Sequence, residues 1–536
     1  MAVLESQIRP GGKEFERRAA AMTERLASVR AFEQRVRDNS ARAAKKFHDR
    51  GQLLPRERLE RLLDPGREFL EVSSLAGLYM HDDDGERNAA GGGVIAGVGW
   101  VSGVRCLVTA SDSGIKGGST TPMGLKKSLR AQEIALENRL PVVNLIESGG
   151  ANLLYQSEIF IEGGKVFRNL ARLSAAGLPV VTVVHGSSTA GGAYMPGLSD
   201  YVIVVRGRSK IFLAGPPLLK AATGEVATDE ELGGAEMHAT VSGTAEFMAE
   251  DDEHALTLAR DVVSKLGWQD LASSRAGAPP RYDPEELLGL VPDDPKKPYD
   301  VREIIARLVD DSDFLGFKNE FGAATVCGRA MIDGYAVGII GNNGPIDAQG
   351  AAKAGQFIQL CCQSNSPIIY LQNTTGYMVG KDAEQSGIVK HGSKMIQAVS
   401  NATVPQITLL IGSSYGAGNY GMCGRAFAPR FIFAWPNNRT AVMGGEQAAG
   451  VMAIITETKF ARMGQELDRT ALRAMQQGII DQIDRESTAL YATARLWDDG
   501  IIDPRESRHV LATCLRICDE SNRRTLRPTS FGVARL

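Results

Sequence analysis

The sequence predicts an α/β fold made of two tandem copies of one unit, and three observations carry this. The first is an internal repeat. With a constant shift of 226 positions, Pro141-Val-Val-Asn-Leu-Ile-Glu-Ser-Gly-Gly150 falls on Pro367-Ile-Ile-Tyr-Leu-Gln-Asn-Thr-Thr-Gly376, Pro179–Ser188 on Pro405–Ser414, and Thr189-Ala-Gly-Gly-Ala-Tyr194 on Tyr415-Gly-Ala-Gly-Asn-Tyr420. The second is the grammar of each copy: an apolar run, a glycine turn and a helix start, twice over. Buried parallel strands joined by crossover helices read this way. The third is the shortness of these strand–glycine–helix units, which argues for a stacked spiral of ββα units rather than one wide dinucleotide sheet. No G-x-G-x-x-G follows a strand and no G-x-x-x-x-G-K-[ST] is present, so nicotinamide and ATP sites are not expected.

Along the chain, residues from Phe15 to His48 are dense in Ala, Glu, Arg and Lys. Met22, Leu26, Val29, Phe32 and Val36 recur at helical spacing, so one or two amphipathic helices open the chain. Pro55 suits the first turn of a short helix that Asp64-Pro65-Gly66 ends. Strand-like runs occupy 91–110, a helix 123–138, and alternating strands and helices continue to about 265. The stretches Ala276–Glu285 and Val291–Tyr299 are rich in proline and charge. The expected organisation is therefore an N-terminal domain over 1–275, a linker over 276–299 and a C-terminal domain over 300–536, ending in helices over 456–520 and a basic strip, Arg523–Arg535.

Composition narrows the function. The 536 residues suffice for two full cores, since one core stops growing near ~250–300 residues. A net charge of −3 and a pI near 6.2 argue against a nucleic-acid surface. No apolar run reaches a membrane span of roughly 18 residues, and the first ten residues do not read as a secretory signal. The seven cysteines form no CxxC pair and read as reduced thiols, with no zinc site and no other metal expected. A cytoplasmic setting is expected, with a mitochondrial matrix left open.

The glycines carry the chemistry. Ala190-Gly191-Gly192-Ala193 follows an apolar strand and a polar turn. Small residues there let consecutive N–H groups at a helix start face a ligand, and the helix dipole favours negative charge. That is oxyanion-hole geometry, in which one donor is worth ~2.7–4 kcal/mol of transition-state stabilisation. Gly416-Ala417-Gly418 repeats the arrangement. Tight packing would explain either turn alone; two at one offset favour donors, and hence two reactants held by one device. Glu147–Asn152 and Asn373–Tyr377 would form the second wall of each pocket. Glu147 is open to a base role or a turn-stabilising one, and His185 reads as structural. Lys116, Gly117 and Gly118 could hold phosphates ahead of a helix bearing Lys126 and Lys127, although a solvated basic face would look the same.

At these residues the chain resembles the carboxyltransferase β subunits of biotin-dependent acyl-CoA carboxylases, in the methylcrotonyl-CoA and geranyl-CoA carboxylase branch. The resemblance rests on Ile146-Glu-Ser-Gly-Gly-Ala-Asn152, Ser188-Thr-Ala-Gly-Gly-Ala-Tyr194, Phe212–Glu225, Leu232-Gly-Gly-Ala-Glu-Met-His238, Gly51-Gln-Leu-Leu-Pro-Arg-Glu-Arg58 and Asn342-Asn-Gly-Pro345. It implies two crotonase-like (ClpP/crotonase) domains per chain, a β6 core within an α6β6 complex, and a site between the N-domain of one subunit and the C-domain of another. Gly191 and Gly192 would bind the thioester oxygen as an enolate develops. Ala417 and Gly418 would bind the ureido oxygen of biotin, which itself could take the proton. The acyl-CoA side would add Gly149, Gly150, Ala151, Lys116, Gly117, Gly118, Ala193, Tyr194, Gly163 and Gly164. The biotin side would add Thr375, Gly376, Tyr377, Gly416, Asn419 and Tyr420.

Biotin would be carried by a partner α subunit with biotin carboxylase and carrier functions, because neither a Met-Lys-Met site nor an ATP-binding domain is read here. The coenzyme A thioester would be the substrate. Glu158–Ala171 is shorter than the methylcrotonyl pattern and carries Gly163-Gly164, which makes room for a longer chain. A geranyl-CoA-type substrate is therefore favoured over methylcrotonyl-CoA, and Ser530–Arg535 also resembles the geranyl type. More distant alternatives are the carboxyltransferase of a biotin-dependent decarboxylase, and a crotonase-type hydratase, which would need a carboxylate pair.

Overall fold

Each half of the sequence builds one sheet, and the two sheets share a plan. The fold comes from a computed structural model, described over residues 3–85, 90–271, 275–295 and 297–533. In the N-half the strands are β1 (Leu70–Glu71), β2 (Val94–Val101), β3 (Val104–Ser111), β4 (Val142–Ser148), β5 (Val180–Thr189), β6 (Tyr201–Val205), β7 (Lys210–Phe212) and β8 (Phe247–Ala249). They lie in the order β1-β2-β3-β4-β5-β6-β8, with β7 on the far end of β5. β1, β2 and β3 pair antiparallel, and β3 through β6 run parallel. Val142–Ile146 and Val180–Val184 are buried on both faces, which is why these strands read as unbroken apolar runs rather than alternating ones.

The C-half repeats this. Its strands are β9 (Leu315–Gly316), β10 (Thr325–Ile332), β11 (Tyr335–Asn342), β12 (Ile368–Thr374), β13 (Gln406–Tyr415), β14 (Phe431–Ala434) and β15 (Arg439–Ala441). The order is β14-β13-β12-β11-β10-β9, with β15 on β13. The correspondence extends to irregularities. The β4/β5 register slips between Ile146 and Ser148, and the β12/β13 register between Gln372 and Thr374.

The helices obey the same offset. Among those that matter below are α1 (Lys13–Ala41), α2 (Pro55–Leu62), α3 (Pro122–Glu137), α4 (Gln156–Ala175), α5 (Asp252–Lys265), α6 (Ala348–Gln363), α7 (Ile388–Ser400), α8 (Gly416–Gly421), α9 (Gly445–Arg462), α10 (Arg469–Glu486) and α11 (Ser507–Arg523). Thr121 caps α3 by accepting from Gly124 N at 3.0 Å, and Asp347 caps α6 by accepting from Gly350 N at 2.5 Å. Both caps satisfy an N–H that no helix can satisfy internally.

The chain forms two compact units, and sequence order and unit membership differ at the ends. One unit gathers Ala31–Ser273, Ala494–Leu496 and Asp519–Leu536; the other gathers Met1–Arg30, Ser274–Thr493 and Trp497–Cys518. We call them the N-half and C-half units. The proline-rich stretch after residue 276 belongs to the C-half unit and is built into it: Leu287, Leu288, Leu290 and Val291 are buried. The terminal helices begin with α9 at Gly445 rather than at 456. Ala534 and Arg535 of the basic strip lie outside the described residues. Among the described residues no helix is long and apolar enough to cross a membrane.

Candidate active site

The two donor turns are built alike. β5 ends at Thr189 and the chain enters a single 3-10 turn, Ala190–Ala193. Ala190 takes a φ of 52°, and Gly416, its counterpart at the start of α8, a φ of 53°. This left-handed step costs a non-glycine residue about 1–2 kcal/mol, and both copies adopt it. It turns the chain sharply enough that a helix starts where the strand stops. The first N–H groups of such a turn have no acceptor within it.

Hydrogen bonds fix which way the peptides face. Ser188 Oγ donates to the Gly192 carbonyl at 3.0 Å, and the Tyr194 N–H points back at the carbonyls of Gly191 and Gly192. Because each peptide is trans, tying a carbonyl inward turns the adjoining N–H outward; here those N–H groups belong to Gly192 and Ala193. In α8 the Gly418 carbonyl accepts from Met422 N at 3.0 Å. Gly191 and Ala417 are exposed, whereas Ala193 and Gly418 are buried. Room is short behind the second cradle, where a Cβ on Gly418 would sit 2.8 Å from Gly376 Cα; behind the first, a Cβ on Gly192 would meet Ser148 Oγ at 3.4 Å, an ordinary contact.

The second wall is a shape, not a set of donors. Gly150 N donates to Ser148 Oγ and Gly376 N to Thr374 Oγ1, both at 3.2 Å. The carbonyls of Gly150 and Gly376 accept from Thr120 N and Ile346 N at 2.8 and 3.0 Å. Gly150 and Gly376, with φ of 88° and 121°, are therefore spoken for by their own turns. Gly149, Ala151 and Thr375 are exposed at the turn surfaces.

Other residues named from sequence fall into two groups. Tyr194 and Tyr420 stand half exposed beside the donor turns, Tyr194 against Phe167 with ring centroids 5.6 Å apart and Tyr420 against Phe427 at 5.7 Å. Gly163 and Gly164 lie on α4, one turn ahead of Phe167. A Cβ on either would meet nothing within 4 Å, while a Cβ on Gly191 would sit 3.5 Å from the Phe167 ring. These glycines thus open a vacant face beside the first cradle.

Tyr377 instead turns inward, its ring packed over Gly392 and Gly421, and burial raises its pKa to about 12. Asn419 is a strut: its Nδ2 donates to Ser414 Oγ at 2.7 Å. Lys116 pairs with Asp82, which also accepts from Tyr155 Oη at 2.7 Å. Gly118 is a packing glycine, since a Cβ would sit 2.0 Å from the Glu147 carbonyl oxygen; Gly117 is exposed with a φ of 60°. Lys127 does not join a solvated face. It is buried with its Nζ on the Gly91 carbonyl at 3.4 Å, and burial lowers its pKa to about 8. Its counterpart Lys353 is also buried, with its Nζ on the Lys318 carbonyl at 3.2 Å.

Sequence reasoning missed a buried charge network under the first cradle. Arg58, on α2, donates to Glu147 Oε2 at 2.8 Å and to Asp252 Oδ2 at 3.1 Å. Glu147 Oε2 also accepts from Ser113 Oγ at 2.8 Å, and His185 Nδ1 meets Asp252 Oδ1 at 3.0 Å. Glu147 Oε1 crowds Gly186, where a Cβ would lie 2.8 Å away. Glu147 is thus an anchored carboxylate that props the strand end. Burial lowers the His185 pKa, and Asp252 is held well below the usual range because His185 and Arg58 outweigh its burial. The only hint in the sequence was the run Pro55-Arg-Glu-Arg58, whose partners lie 89 and 194 positions away.

Comparison with known proteins identifies the family. Residues 46–533 match the carboxyl transferase domain. The chain is 48% identical over its whole length, and that of the relative, to the probable biotin-dependent acyl-coenzyme A carboxylase beta2 subunit of Mycobacterium tuberculosis. It is 47% identical to the probable mitochondrial methylcrotonoyl-CoA carboxylase beta chain of Drosophila melanogaster, covering 100% of this chain and 95% of the relative. The crystal structure of the P. aeruginosa geranyl-CoA carboxylase beta subunit superposes with a TM-score of 0.94 at 59% identity, covering 100% of both chains. The chain belongs to the carboxyl transferase domain family and is a carboxyltransferase β subunit of the biotin-dependent acyl-CoA carboxylases.

Proposed function

We propose that this subunit carboxylates a geranyl-CoA-type thioester, a long, branched, α,β-unsaturated acyl chain, using biotin delivered by an α subunit. The supporting observation is the vacant face at Gly163 and Gly164, one helical turn from Phe167 and the first cradle. Leu153, Leu154, Phe160 and Ile161 are exposed along the same helix and its approach, giving an apolar path for a long chain. The neighbour at 59% identity is named for geranyl-CoA. Relatives at 47% identity are named for methylcrotonoyl-CoA, which is the second reading.

In this reading the amides around Gly191 and Gly192 hold the thioester oxygen as negative charge develops on it. The amides of Ala417 and Gly418 hold the ureido oxygen. Bound biotin supplies the carboxyl group. The chain's own part is to position and to stabilise charge with backbone donors that need no reorganisation. Gly149, Ala151, Ala193 and Tyr194 flank the acyl side, and Thr375, Gly416 and Tyr420 flank the biotin side. Lys116 would reach coenzyme A phosphates only by exchanging Asp82 for them. The β chains would assemble as the hexameric core of an α6β6 complex in the cytoplasm or an equivalent compartment.

The test is to reconstitute the subunit with its α partner and assay geranyl-, methylcrotonyl-, propionyl- and acetyl-CoA side by side. Geranyl-CoA is expected to give the highest kcat/KM. Gly163→Phe should lower geranyl-CoA turnover by about tenfold or more, the scale of an obstructed apolar pocket, and spare methylcrotonyl-CoA. A preference for methylcrotonyl-CoA that Gly163→Phe leaves untouched would support the second reading.

A further inference from the structure

The space behind the two cradle-bearing strands is filled in one copy and open in the other. In the N-half unit, Arg58, Asp252 and His185 pack behind Glu147 and Gly186. In the C-half unit the residues at the same offset, Asn373 and Gly412, line a cavity of about 220 Å³. Three polar groups that line it are left short, among them Asp293, whose Oδ1 is buried with no hydrogen-bond partner among the described residues. Asn437 spends its Nδ2 on the Ile411 carbonyl at 3.0 Å, but its Oδ1 is buried with no hydrogen-bond partner among the described residues. The Tyr299 hydroxyl reaches only the same carbonyl among the described residues, at 3.4 Å. A buried acceptor left unmet is destabilising until a donor arrives.

Charge and size describe the donor's carrier. Arg25, Lys297 and Arg439 line the cavity against Asp293 and Asp294, a surplus of one positive charge. Asp293 is paired with Arg17 through its Oδ2 alone. Arg439 meets uncharged acceptors, the Asp484 carbonyl at 2.6 Å and Ser487 Oγ at 3.3 Å. No hydrogen bond or ion pair engages the Arg25 side chain among the described residues. The volume falls below the ~300–1,000 Å³ of sites for drug-sized ligands, and equals roughly seven waters at ~30 Å³ each. The two aspartates oppose a dianion, and the single surplus charge suits a monoanion.

We propose that this cavity binds a small hydroxy-monocarboxylate, its carboxylate facing Arg25 and its hydroxyl donating to Asn437 Oδ1. Ser413 in the floor leads directly to Ser414, whose Oγ holds Asn419 at 2.7 Å, so an occupant braces the strand from which the second cradle hangs. That consequence, unlike binding itself, rests on the second cradle taking biotin.

Binding is tested by isothermal titration of the full chain at constant ionic strength with 3-hydroxybutyrate, butyrate, succinate and inorganic phosphate. One site for 3-hydroxybutyrate is expected, with butyrate bound about tenfold more weakly and the dianions more weakly still. Arg25→Met, which keeps the packing of a partly exposed side chain, should weaken binding about tenfold while leaving the ligand-free melting temperature in place; Asn437→Asp, which keeps the shape but gives up the bond to the Ile411 carbonyl and adds a negative charge, should weaken binding about tenfold and lower that temperature. No binding heat, equal affinity for butyrate, tighter binding of phosphate, or affinities unmoved in both variants would each overturn the proposal. None of these outcomes depends on turnover.

Discussion

Asp498 shows what burial does to a single carboxyl group. It is fully buried in the C-half unit; Gly500 N donates to its Oδ1 at 3.0 Å, and its Oδ2 has no hydrogen-bond partner among the described residues. Burial, with the charge of Asp499 beside it, pushes its pKa up to about 7. Its folded pKa thus lies above the unfolded value of about 3.9. The folded state binds the proton more tightly, so this group favours folding below about pH 4 and loses that contribution as pH rises to 7. Asp498→Asn is therefore expected to raise the melting temperature most at pH 8, less at pH 5, and little below about pH 4, measured by differential scanning calorimetry. Asp252 is buried too, yet is held ionised by Arg58 and His185. The contrast is one of partners, not of depth.

At the scale of elements, α2 acts as a clamp on the end of β4. Its Arg58 side chain is 2% exposed and bridges Glu147 to Asp252 on α5. Removing one partner of a buried pair strands the others, at about 3–5 kcal/mol. Arg58→Met is expected to lower the urea midpoint of unfolding and to weaken acyl-CoA turnover through misplacement of the β4 turn. Elements were the most legible part of the sequence. The 226-residue offset located both cradles, and it holds for the caps Thr121 and Asp347 and for the buried Lys127 and Lys353. These follow from local rules repeated in place. The Arg58 network followed from no local rule, since its members come from five separate segments. Tyr377 likewise looked like a pocket residue because it sits in the turn; only packing over Gly392 and Gly421 turns it inward. Lys127 sits in a stretch that looked like a basic surface, and its burial depends on the glycine turn at Gly91.

At the scale of the molecule, the apolar surface left uncovered is where the assembly proposed above is to be tested. α9 exposes Val451, Met452, Ile454 and Ile455, with Ile454 65% exposed. Isolated exposed apolar residues are ordinary, but a run along one helix marks an interaction surface. Under the hexameric assembly proposed above, Ile454→Asp together with Ile455→Asp should yield smaller species by light scattering and abolish turnover, with circular dichroism unchanged. Unit membership was the least legible feature at this scale. Nothing in the composition of residues 1–30 or 519–536 says that each belongs with the sheet of the other half.

The backbone cradles carry the whole functional reading, and Gly192 is the residue on which to test them. A single Cβ there would sit 3.4 Å from Ser148 Oγ, a contact that fits, so an isopropyl group adds bulk at the donor turn without opening the core. The decisive measurement is kcat for geranyl-CoA carboxylation by the reconstituted complex carrying Gly192→Val, alongside its mass by light scattering. A fall of about 10²–10³-fold at unchanged mass is expected when the side chain keeps the oxyanion from its donor. Turnover equal to that of the unaltered complex would contradict the role of the amide cradle.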